Sequence, residues 1–170
     1  MLEFLYMSKK FNTVKTEKST NTWLTPRSLL DRLGHFDLDP CAATVRPWDI
    51  ADVNYTEEDN GLIQEWFGRV WCNPPYGSEA YPFLKKFSEY GGPGLMLLFT
   101  RTDIKAWHEY IFPTAKYIFF IKGRIKFCRP DGSQEATANA ASCLLAWDKS
   151  ELPLLLQLEK EGLGKLAIFV

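Results

Sequence analysis

The run Asn73-Pro74-Pro75-Tyr76 directly follows the apolar segment Arg69-Val70-Trp71-Cys72, and its residue types suit methylation of a planar amino group. An amine conjugated to an aromatic ring attacks an electrophilic methyl poorly, because its lone pair is delocalised. Acceptors on its N–H bonds localise that pair. Asn73 brings a side-chain acceptor and Pro74 a backbone carbonyl, while two consecutive prolines fix φ and remove donors, so the turn needs no reorganisation as charge develops. Tyr76 offers a ring on which an extruded base can stack. The same four residues also suit a plain strand-ending turn, since Asn and Pro dominate turns. The chemistry fits three acceptors alike: adenine in DNA, the N2 amine of guanine in RNA and a glutamine amide in a protein. A non-catalytic DNA-binding or anti-restriction relative is the reading from another class; the intact tetrapeptide argues against it, and a cofactor strand without a glycine fingerprint argues for it.

Such a turn must be held at the end of a strand, and the surrounding pattern supplies strands alternating with helices. Thr25-Pro26 reads as an N-cap and first-turn proline, opening a helix with Leu29, Leu30 and Leu33 that stops at Gly34. A strand follows at Phe36 to Asp39, then a short helix carrying Leu62, Ile63, Trp66 and Phe67, then the strand into Asn73. A helix with Phe83, Leu84, Phe87 and Tyr90 closes at Gly91-Gly92, a buried strand spans Leu95 to Phe99, and Thr102 caps a helix with Ile104, Trp107 and Ile111. Strands at Tyr117 to Ile121, Arg124 to Phe127 and Ser142 to Trp147, a polar loop from Ser133 to Ala141, a helix near Leu154 to Leu158 and a strand Leu166 to Val170 complete the chain. The expected fold is α/β, a Rossmann-like methyltransferase sheet with an antiparallel C-terminal hairpin on its edge.

In that architecture a methyl donor, S-adenosylmethionine, belongs at the carboxyl ends of the first strands. No glycine fingerprint is present there. Phe36-Asp37-Leu38-Asp39-Pro40-Cys41-Ala42-Ala43 stands in its place, with Asp37 and Asp39 as acceptors for ammonium or ribose hydroxyls and small residues allowing close approach; Asp39-Pro40 as a simple turn is the competing reading. Only 33 residues lie between Asp39 and Asn73, room for about one crossover, so the sheet is trimmed on its cofactor side or loops replace helices there. Asp59 is either a partner for the donor's adenine amine or a helix cap.

A net charge of −1 on 170 residues provides no global field for a polyanion, so nucleic-acid binding requires a local patch. Lys116, Lys122, Arg124, Lys126 and Arg129 provide one, with no acid between Lys116 and Pro130. Alternation puts Lys122, Arg124 and Lys126 on one strand face, suited to phosphates, with Arg124 within reach of a base edge. A charged edge strand guarding against aggregation would look the same. Cys41, Cys72, Cys128 and Cys143 lack zinc-site spacing and read as reduced thiols of a cytoplasmic protein, and two histidines make a metal centre unexpected. Residues 1–21 read as a flexible arm preceding one domain, residues 22–170, with no run long enough to span a membrane.

Taken in order, Trp23-Leu24-Thr25-Pro26, Phe36 to Asp39 with Ala42-Ala43, Asp59-Asn60-Gly61-Leu62, Val70 to Tyr76 and Lys122-Gly123-Arg124-Ile125-Lys126-Phe127 resemble the phage-type DNA N6-adenine methyltransferases, the phage Dam family. The resemblance covers roughly Trp23 to Trp147. It implies a donor held near Thr25-Pro26, with Trp23 beside them, and along Asp37 to Ala42 including Cys41. It further implies catalysis at Asn73 to Tyr76, duplex DNA as partner through Lys122, Arg124, Lys126 and Arg129, no metal, and a phage or prophage origin with protection against restriction as the role.

Overall fold

Alternating apolar residues decide how the sheet is packed. In the computed structural model, which describes residues 22–169, β4 (Gly94–Phe99) sends Met96 and Leu98 to one face and Leu95 and Leu97 to the other. The preceding β3 (Val70–Cys72) does the same, with Val70 and Cys72 opposite Trp71. A strand apolar on both faces must be covered on both. On the first face lie α2 (Ala80–Tyr90), through Leu84 and Phe87, and a π-helical turn Trp107–Ile111; on the second lie α1 (Arg27–Leu33), through Leu30 and Leu33, and α3 (Leu152–Lys160), through Leu155 and Leu158. Each such side chain stabilises the fold by roughly 1.5–3 kcal/mol when fully buried.

The remaining strands are β1 (Leu38–Asp39), β2 (Val53–Asn54), β5 (Tyr117–Ile121), β6 (Lys126–Cys128), β7 (Gln134–Thr137), β8 (Ser142–Ala146) and β9 (Gly164–Ile168). Among the described residues seven of the nine strands form one sheet in the order β2-β1-β3-β4-β8-β5-β9. The first four are parallel neighbours, whereas β8 runs antiparallel between β4 and β5, and β9 antiparallel on the outer side of β5. Thus β1 sits between β2 and β3, and the chain leaves it first to one side and later crosses to the other. Ligands of open parallel sheets bind beyond the carboxyl ends of the strands at such a reversal.

Several expectations are corrected. The helix expected around Leu62 to Phe67 is a turn followed by irregular chain, because Asn60 takes a left-handed φ of 51° and the Gly61 backbone packs so closely on Pro40 that an added Cβ would lie 1.9 Å from its carbonyl oxygen. Helix α1 is capped by Pro26 without a side-chain bond, so Thr25 is not its cap. The C-terminal strands do lie antiparallel on the sheet edge, as β8, β5 and β9, but the strand expected at Arg124 to Phe127 joins β7 in a separate two-stranded ribbon, and β7 occupies part of the expected polar loop. Lys122 and Gly123 form a bend, which keeps Arg124 out of a strand. The expected arm, residues 1–21, lies outside the described residues. All four cysteines are free thiols. Among the described residues no helix is long and apolar enough to cross a membrane.

Candidate active site

The carboxyl ends of β1 and β3 open into a cleft of about 940 Å³. Asn73, Pro74, Pro75 and Tyr76 line it, and so do Trp23, Thr25, Asp39, Cys41 and Ala42. Residues 53 positions apart in sequence, Trp23 and Tyr76, thereby line one cleft.

At the end of β3 the Asn73 side chain donates from Nδ2 to the Trp23 carbonyl oxygen at 2.9 Å. A carbonyl only accepts, so this contact fixes which amide atom faces it. Oδ1 is left buried and without a partner. A buried acceptor in that condition costs about 1–3 kcal/mol relative to a satisfied one, which favours a ligand that brings a donor. Trp23 is itself held in place, because the next residue, Leu24, exchanges backbone hydrogen bonds with Cys128 of β6 at 2.8 and 2.9 Å. The first described residues therefore strap the ribbon to the turn that begins at Asn73.

Tyr76 stacks on Phe99 with ring centroids 4.3 Å apart and planes 15° from parallel, and meets Phe127 edge-on at 5.8 Å. Its hydroxyl is buried without a partner, and that burial pushes the phenol pKa well up. Nothing in the sequence marks Phe99 or Phe127 as a stacking partner of Tyr76; both look like ordinary core residues of apolar strands.

On the β1 side, Asp39 is 3% exposed, and burial raises its carboxyl pKa to about 7 against the opposing hydrogen bond from the Cys41 N–H at 3.0 Å. Cys41 and Cys72 bring their Sγ atoms to 3.6 Å, and burial and this neighbour push the Cys41 thiol well up. Thr25 is fully buried with an unpartnered hydroxyl, a second orphan in the wall. Buried oxygens, a carboxyl group and the small side chains of Ala42 and Ala43 form a wall that fits a ligand rich in ammonium and hydroxyl donors.

Other candidates are placed elsewhere. Pro26, Asp37 and Asp59 are absent from the lining residues. Asp37 lies at the amino end of β1 and accepts from the Arg69 N–H at 2.6 Å. Asp59 accepts from the Thr56 N–H and hydroxyl at 2.8 and 2.9 Å, which lowers its pKa and shapes the turn that presents Glu57 and Asn60 to the cleft. Lys122, Arg124 and Lys126 are exposed while Ile125 and Phe127 are buried, so the alternation in exposure persists despite the bend. Arg129 is half-buried, and the adjoining Pro130 reaches the cleft. His35, Asp37 and Asp52 bring potential ligand atoms within 4.8 Å at the amino end of β1, where His35 approaches the two carboxylates at 3.7 and 3.2 Å.

The model of the family described as DNA N-6-adenine-methyltransferase (Dam) matches residues 11–156. The chain belongs to the Dam family. No curated protein and no solved structure matches it. Dam membership decides among the acceptors left open by the tetrapeptide: this is an S-adenosylmethionine-dependent enzyme that methylates N6 of adenine in DNA. The α/β sheet is consistent with the Rossmann-like methyltransferase fold of the Dam family.

Proposed function

We propose that the cleft brings the two substrates of adenine methylation together, the donor against the end of β1 and the target base against Asn73 to Tyr76. The observation that carries this reading is the unpartnered Asn73 Oδ1, held in the wall by the Trp23 carbonyl. That oxygen accepts one N–H of the adenine amine and the Pro74 carbonyl accepts the other, so the nitrogen lone pair turns out of conjugation. Both acceptors interact more strongly as the nitrogen gains positive charge, which favours the transition state over the ground state. Tyr76, backed by Phe99, supplies the stacking surface for the extruded base.

S-adenosylmethionine, when bound, supplies an electrophilic methyl group. Asp39, Thr25 and the backbone around Cys41 and Ala42 are the groups that hold it, with Trp23 beside them. On this trimmed cofactor side, loops between β1, β2 and β3 take the place of crossover helices. Lys122, Arg124, Lys126 and Arg129 contact duplex phosphates, and protection of phage DNA against restriction is the role that the resemblance to phage-type enzymes suggests.

The test is modification-sensitive sequencing of DNA from cells expressing the protein or its Asn73→Ala variant. Methylated adenine at one short sequence, absent with the variant, is the expected result; equal methylation with both removes Asn73 from the mechanism.

A further inference from the structure

We propose that Lys86 is a positioning residue for the methyl donor, its ammonium holding the Thr56–Leu62 wall of the cleft against the end of β1. The inference rests on the cleft being the donor site.

The wall has no regular structure of its own. Thr56, Glu57, Asn60, Gly61 and Leu62 line the cleft from a connection of turns and irregular chain, without helix or strand, between β2 and β3. Turns of this kind leave carbonyl oxygens without ladder partners, and clustered oxygens repel one another. Lys86 of α2 gathers them, donating to Leu62 O at 2.7 Å and Gln64 O at 2.5 Å, with Gly61 O at 3.4 Å. The Gly61 oxygen also accepts from the Trp66 indole N–H at 2.8 Å, and the Lys86 ammonium sits 5.4 Å from the Trp66 ring centroid. Bonds of this charge-assisted kind are about twice as strong as neutral ones.

The other side of the wall leaves no slack. The close approach of Gly61 to the Pro40 carbonyl puts the turn directly on the residue that follows Asp39. Lys86 and Pro40 therefore both hold the turn, one by hydrogen bonds to its carbonyls and the other by close packing on Gly61. Its helix also contributes Phe83 to the cleft and starts just beyond Tyr76, so the clamp ties the donor wall to the same element that follows the catalytic turn. Lys86 itself is not among the lining residues, which makes its action indirect.

The experiment measures S-adenosylmethionine affinity by calorimetry, duplex DNA affinity, KM and kcat, and thermal unfolding for wild type, Lys86→Gln, Lys86→Arg and Ala43→Trp. Ala43→Trp fills the cleft without touching the clamp and tests the location of the donor alone. Lys86→Gln should weaken donor binding about tenfold, the equivalent of one charge-assisted hydrogen bond, and raise the donor KM similarly with little change in kcat or DNA affinity. Lys86→Arg keeps the charge but not the compact three-way geometry, and should weaken donor binding about threefold. It carries the test should Lys86→Gln fail to fold. Donor binding lost in Ala43→Trp but unchanged in both Lys86 variants overturns the clamp and leaves the site standing. Equal losses of donor and DNA affinity overturn it too, by showing a general structural role. Wild-type donor affinity in Ala43→Trp removes the donor from this cleft, and the clamp with it.

Discussion

Asn73 and Trp23 form a one-way pair: the side-chain amide donates to the backbone carbonyl at 2.9 Å, so Oδ1 is the amide atom left buried without a partner. Removing that oxygen in Asn73→Ala should lower the single-turnover methylation rate by roughly two to three orders of magnitude, with donor and DNA affinities changing far less. Asn73→Asp distinguishes orientation from mere polarity. An ionised Asp would oppose its charge to the Trp23 carbonyl; a neutral one donates its O–H there and keeps an acceptor for the amine. The variant's rate should therefore rise as pH falls through the introduced carboxyl's pKa, whereas wild-type Asn73 has no such titration. A pH-independent loss would show that the Trp23 contact does not orient the group.

Tyr76 separates ring from hydroxyl. Because the hydroxyl is buried without a partner, Tyr76→Phe removes an unsatisfied polar group and should retain activity with equal or higher thermal stability. Tyr76→Ala should cost about 1–3 kcal/mol in base extrusion, and Phe99→Ala, which removes the ring beneath it, should produce a milder form of the same defect. Fluorescence of 2-aminopurine at the target position reads that step directly. Normal extrusion in Tyr76→Ala would assign stacking to another residue.

Asp39 predicts a pH dependence. Its folded pKa of about 7 lies above the unfolded value near 3.8, so between those values the folded protein binds the extra proton. Stability should thus fall as pH rises from about 4 to 7 and level off above, and Asp39→Asn should remove that slope. If the ionised carboxylate binds donor ammonium or hydroxyls, wild-type donor affinity should increase as pH rises through about 7, while Asp39→Asn should bind weakly at every pH. Calorimetric titrations across that range check both, and unchanged donor affinity in Asp39→Ala would sink the donor assignment.

The exposed basic residues separate by salt. Single Ala replacements at Lys122, Arg124 and Lys126 should each reduce the slope of log affinity against log salt by about one unit per lost phosphate contact. If Arg124 reads a base, its loss instead relaxes the recognition sequence at one position by roughly 1–3 kcal/mol. Unaltered affinity and slope in all three would leave them as guards against edge-to-edge pairing.

What was legible in the sequence was contiguous chemistry. The place of Asn73 to Tyr76 on the cleft can be read because the four residues are neighbours and the strand before them is apolar on both faces. The alternation around Ile125 and Phe127 was readable for the same reason, although the bend at Lys122 and Gly123 was not. Leu62, Ile63, Trp66 and Phe67 have helical spacing, yet a left-handed Asn60 and a cation 22 to 25 residues away hold that segment out of a helix. Thr25 carries a capping residue's signature but turns its hydroxyl into the cleft wall instead. Strand β2 has two residues, with Val53 exposed, too little pattern to detect. Long-range pairs such as Asn73 with Trp23 leave no local trace.

The strap also sets the order in which the enzyme becomes competent. Trp23 finds Asn73 across 50 residues, and Leu24 finds Cys128 only once β6 is available. Contacts that close such long loops come late, because their ordering entropy is lost before they can repay it. On a ribosome, a nascent chain long enough to include the complete Asn73–Tyr76 turn would still lack the partner that locks Leu24. Methylation would then begin only after the ribbon has emerged and captured Leu24, so activity itself reports that the ribbon has docked against the first described residues.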